Sequence, residues 1–106
     1  MTSPITPALI VDKITETLVA TQKFPTKEAA LWDLALAAVQ KKIRYYQRRI
    51  HRLEQKHGTS FAHFTVQLKN QATPAQEDDW LAWRSAQSML EDWQQTYQDL
   101  RHEHAR

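Results

Sequence analysis

From Thr26 to His57 the chain runs without glycine or proline, and along it Trp32, Leu36, Val39, Ile43, Tyr46, Ile50, Leu53 and His57 recur at alternating steps of four and three. That spacing holds one narrow stripe on one side of a helix for about nine turns, or roughly 48 Å at 1.5 Å per residue. A helix of this length cannot bury its stripe alone. It needs a partner helix, later in the chain or in a second copy.

A matching stripe comes later. Pro74 suits the first turn of a helix, with Glu77, Asp78 and Asp79 at the positive end of its dipole, and Trp83, Ala86, Leu90, Trp93, Tyr97, Leu100 and His104 again step by three and four. The expected fold is all-α: a long antiparallel helical hairpin of about 26–57 and 74–104 in a single domain. A short N-terminal helix over 7–24 precedes it, carrying Ile10, Val11, Ile14, Leu18 and Val19 at helical spacing and stopping before Pro25, behind an extended arm at 1–6. Thr26 is the expected cap of the long helix, and Lys56-His57-Gly58 its close. A short helix over 59–70, with Phe61, Phe64, Val66 and Leu68, then crosses the open end of the pair, and a polar connection follows. The same stripes would serve pairing between two chains, so a homodimer is also expected.

Several function classes have little to stand on. The chain contains no cysteine, which excludes disulfides and Cys-based zinc sites. Its histidines share no helix face and no HExxH pattern occurs, so neither a metal nor another cofactor is expected. One glycine leaves no phosphate-cradling loop and no nucleophile elbow. No apolar run approaches a membrane span and no leader pattern opens the chain, which makes the cytoplasm the expected location.

Lys41, Lys42, Arg44, Arg48, Arg49, Arg52 and Lys56, opposed only by Glu54, make the second half of the long helix basic, while Glu77, Asp78, Asp79, Glu91, Asp92, Asp99 and Glu103 make the last helix acidic. The net charge of +2 is too small to draw nucleic acid to the whole surface. A nucleic-acid site therefore needs a local cluster, and if DNA is bound, Lys41, Lys42, Arg44, Arg48, Arg49 and Arg52 are the expected contacts, chiefly to phosphates, with Tyr45 and Tyr46 interleaved. The plainer reading is a solvated flank spread over several faces and paired with the acidic helix.

Trp32, Trp83 and Trp93 fall on the stripes and read as core. Trp80 and Leu81 widen the apolar surface near the start of the last helix, and Met89 adds to it. Apolar surface beyond one seam marks an interface with another protein, so Trp80, Leu81, Trp83 and Met89 form the expected partner-binding set.

Two resemblances bear on function. Arg52-Leu53-Glu54-Gln55-Lys56-His57 resembles the arginine–histidine motif of the all-helical HEPN ribonucleases. That resemblance implies Arg52 as a phosphate stabiliser and His57 as an acid or base. The segment from Leu18 to Ala30, in which a helix ends at Phe24 and Thr26 opens the next, resembles small bacterial antitoxins. So do the basic helix closing on Lys56-His57-Gly58, Ser60-Phe61 with Phe64, and Glu77-Asp78-Asp79-Trp80 with Trp83. The antitoxin resemblance implies a non-enzymatic, dimeric protein that masks a toxic partner encoded nearby and regulates its own transcription. An adaptor hairpin with no regulatory task is the remaining alternative.

Overall fold

In the computed structural model, which describes residues 6–21 and 24–105, four helices follow in order: α1 (Pro7–Ala20), α2 (Lys27–His57), α3 (Phe61–Gln67) and α4 (Pro74–His104). Contacts cluster in two compact units, Met1–Ala38 and Val39–Arg106, with the boundary inside α2. Of the expected arm over residues 1–6, residues 1–5 lie outside the described residues, and Thr6 is the cap of α1.

In the first unit, Thr6 caps α1 by accepting from the Leu9 amide at 3.2 Å, and Pro7 occupies the first turn. The helix is shorter than the stop expected before Pro25 implies, although its apolar spacing, which ends at Val19, agrees with it. It ends at Ala20 rather than Phe24, because the Thr21 amide closes the last turn on Thr17 and Val19 while the Thr21 hydroxyl turns back to the Leu18 carbonyl. Its rotation differs too. Ile10, Val11 and Ile14 face solvent and Thr15 is fully buried. The Thr15 hydroxyl donates to the Val11 and Asp12 carbonyls at 3.0 Å, so burying it leaves no unpaired group. Asp12 is thereby placed 2.9 Å from Lys27 Nζ, and this hydrogen bond raises the Lys27 pKa above its ordinary value.

Thr26 accepts from the Ala29 amide at 3.0 Å, satisfying one of the orphan donors at the start of α2. Every residue of the expected α2 stripe is buried or half-buried, from Trp32 to His57, and so is the α4 stripe from Trp83 to Leu100, whereas His104, its expected last member, is exposed. Within the second unit, Gln40 Nε2 donates to the Tyr97 hydroxyl at 3.0 Å and His57 Nε2 lies 2.8 Å from Asp79 Oδ2. Contacts thus run from 40 to 57 on α2 while running from 97 back to 79 on α4, which makes the two antiparallel. Gly58, at φ +62°, ends α2 in the left-handed conformation.

Ser60 caps α3, which is confined to Phe61–Gln67 rather than reaching 70. After Gln67 the bonds tighten into turns, Lys69 to Val66 and Gln71 to Leu68, and Asn70 at φ 77° reverses the chain. Thr73 and Gln76 then form a reciprocal capping box, Thr73 Oγ1 accepting from the Gln76 amide at 3.2 Å and Gln76 Oε1 from the Thr73 amide at 2.9 Å. This fixes the direction in which α4 leaves the turn.

Candidate partner-binding site

At the open end of the α2–α4 pair, five rings meet. His57 lies 4.2 Å from Phe64 and 6.0 Å from Trp83 between ring centres, Phe61 packs on both Trp80 and Trp83, and Phe64 lies 5.5 Å from Trp83. Phe64 and Trp83 are buried at 2% and 0% exposure. The expected place of Trp83 in a partner surface is therefore corrected: an indole with no accessible area touches no partner. Its core role follows from the α4 stripe, which turns it toward α3.

Trp80 is one position out of that stripe and meets a different environment. Its Nε1 donates to Thr65 Oγ1 at 2.9 Å, and the same hydroxyl donates to the Phe61 carbonyl at 2.8 Å, so one α3 side chain pins the indole and is itself held to its own helix. Phe61 stacks on the ring at 5.7 Å and the Arg84 guanidinium lies 5.5 Å from its centre. With Trp80 held this way, α3 and the first turns of α4 enclose an open, mainly apolar groove of about 400 Å³ lined by Thr65, Leu68, Lys69, Ala72, Glu77, Trp80 and Leu81. Glu77, Trp80 and Leu81 share one side of α4 by their spacing of three and four. Leu81 stands 56% exposed at its edge. Lys69 and Glu77 supply opposite charges. Met89, also expected here, is half-buried further along α4 and does not line the groove.

The other wall, from Thr65 to Ala72, was not among the expected residues. Its membership depends on the Asn70 reversal, which brings α3 back beside α4. Only Leu68 and Ala72, four apart in a polar stretch, hint at a second apolar edge.

Of the expected HEPN-like pair, Arg52 is exposed and His57 is not: its side chain is 15% accessible, enclosed by Phe64 and Trp83, with Nε2 held on Asp79. Asp79 Oδ2 also takes Lys56 Nζ at 2.7 Å. The Lys56 hydrogen bond holds the Asp79 carboxyl below its ordinary pKa, desolvation works against it, and the His57 bond adds to the lowering. The three side chains join the last turn of α2 to the second turn of α4. Among the described residues, no group of three His, Cys, Asp or Glu side chains could hold a metal ion, and no helix is long and apolar enough to cross a membrane.

The expected pairing of the basic and acidic helices is met at Asp79, which takes Lys56. Lys41, Lys42, Arg44, Arg48 and Arg52 make no ion pair with any described residue. Nor are they scattered over several faces. At 3.6 residues per turn, these five with Arg49 and Lys56 fall within about 160° of the circumference. That arc is opposite the buried side formed by Val39, Ile43, Tyr46, Ile50, Leu53 and His57.

No protein-family model, curated protein or solved structure matches this chain.

Proposed function

We propose that this chain is a cytoplasmic, non-enzymatic protein-binding module, antitoxin-like in role, which holds a partner protein by an apolar segment laid in the α3–α4 groove. The observation that carries this reading is the exposed Leu81 beside a Trp80 ring fixed by Thr65, on an open apolar groove with one cation and one anion. Interfaces are centred on rigid aromatic and aliphatic anchors of this kind, with polar groups around them. A groove between the start of α4 and the end of α3 with the turn after it suits the apolar face of a partner helix.

The test is growth of cells expressing the gene beside this one, alone and together with this protein, followed by co-purification. Arrest relieved by co-expression, with both proteins eluting together, is the expected result. A harmless neighbour that does not bind overturns the antitoxin role.

The aliphatic side of α1 supports self-association as well. Ile10, Val11 and Ile14 lie together on its surface, each at least 40% exposed, and a second copy would cover them.

A further inference from the structure

The outward face of α2 has a composition that neither the fold nor the partner groove requires. Between Lys41 and Lys56 it carries seven basic residues, six of them exposed, and the one acidic residue of that stretch, Glu54, falls outside their arc. Tyr45, 41% exposed, sits inside the arc, its hydroxyl accepting from Arg49 Nη1 at 3.3 Å. Concentrating like charge on one helix costs stability through self-repulsion, and among the described residues only Lys56 of the seven has an anionic partner. A polyanion is the ligand whose charge complements this face.

We infer that this face of α2 binds B-form duplex DNA, lying in the major groove. The inference rests on the charge and geometry of α2 alone and is independent of the protein-binding reading. The basic segment is about 22 Å long, and a helix with its side chains is about 10–12 Å across, matching a major groove about 12 Å wide. Arg44 stands on one flank of the arc, Lys42 and Arg49 on the other, so both walls of phosphates are within reach of cations. Lys41, Tyr45, Arg48 and Arg52 occupy the middle, toward the base edges.

The alternatives fit less well. Single strands are bound along a positively charged groove, and this surface is a convex ridge. Double-stranded RNA has a major groove too deep and narrow for a helix. A membrane-surface helix needs an apolar face toward lipid, and the apolar face of this segment is turned to the core.

The experiment is fluorescence anisotropy of the full chain with a labelled DNA duplex of about two helical turns over a range of salt, alongside the same sequence as single strand and as double-stranded RNA, with phosphatidylserine vesicles tested by co-sedimentation. The expected result is duplex binding that weakens linearly on a log–log salt plot. Arg48→Ala/Arg52→Ala should lose about tenfold in affinity and flatten the slope by about two, with helical circular dichroism unchanged. Arg101→Ala, a cation on α4, should shift affinity by less than about twofold. The inference is overturned by an absence of duplex binding at low salt, by a double variant that binds like the parent, or by single strand, RNA duplex or vesicles bound as tightly as duplex DNA.

Discussion

His57 and Asp79 meet at 2.8 Å across the open end of the hairpin, joining the last turn of α2 to the second turn of α4 while the imidazole lies against Phe64. The contact fixes where α3 can sit, and therefore the shape of the groove beyond it.

The pH dependence of stability follows from that contact. Lys56 first, and His57 after it, hold the Asp79 carboxyl below the ordinary carboxylate range, although desolvation opposes them. A carboxylate whose pKa is lowered on folding adds stability above the unfolded value, and that stability is lost as pH falls through the lower, folded value. Thermal melts from about pH 6 to pH 2 should show this loss beginning below about pH 5. Asp79→Asn should cost about 1 kcal/mol at neutral pH and give a shallower acid limb. Parallel curves for the two proteins would remove Asp79 from the acid transition.

Trp83 separates volume from hydrogen bonding. Its Nε1 is buried and has no acceptor, whereas Trp80 Nε1 has Thr65. Trp83→Ala should cost about 3–5 kcal/mol through the cavity it leaves. Trp83→Phe keeps most of the ring and removes the unpaired donor, so its cost should be much smaller. Chemical denaturation reads both, and a Trp83→Phe cost as large as about 3 kcal/mol would mean that the indole N–H has a partner in solution.

The two left-handed residues give opposite expectations. Gly58 at φ +62° has open space around the position of a Cβ, so Gly58→Ala is penalised by conformation alone, at about 1 kcal/mol. Asn70 at φ 77° already carries that strain, and Asn70→Gly should be neutral or slightly stabilising in the same melts.

Residue periodicity made the long elements legible. The steps of three and four from Trp32 to His57 and from Trp83 to Leu100 define buried sides that depend on little besides helix geometry. Pro74 and Thr26 marked two helix starts for equally local reasons. Rotation of α1 was not legible, because a threonine that bonds its own helix carbonyls is buried at no polar cost and leaves no trace in an apolar pattern. The groove was half legible. Trp80 and Leu81 stand out as apolar residues beyond the stripe, but the opposite wall exists only because Asn70 reverses the chain and Thr65 receives the Trp80 N–H. The basic run was visible as composition, while its confinement to one arc emerges when its positions are set against the buried side.

Leu81 is the residue on which the partner-binding proposal is most exposed to test. It is largely accessible, it edges the groove, and it makes no part of the His57, Phe64 and Trp83 cluster, so Leu81→Asp should leave folding nearly intact, within about 0.5 kcal/mol of the parent. The same change puts a charge where an apolar partner segment is to be desolvated, and truncating an anchor of this kind costs about 2 kcal/mol or more of binding, roughly thirtyfold in affinity. Co-purification and calorimetric titration with the neighbouring gene product measure that loss, and circular dichroism checks the fold. Lys69→Glu, which places a second anion beside Glu77, should weaken binding less and make it more sensitive to salt. A Leu81→Asp protein that retains full affinity would move the interface away from the α3–α4 groove, with the Ile10 and Ile14 side of α1 the next surface to alter.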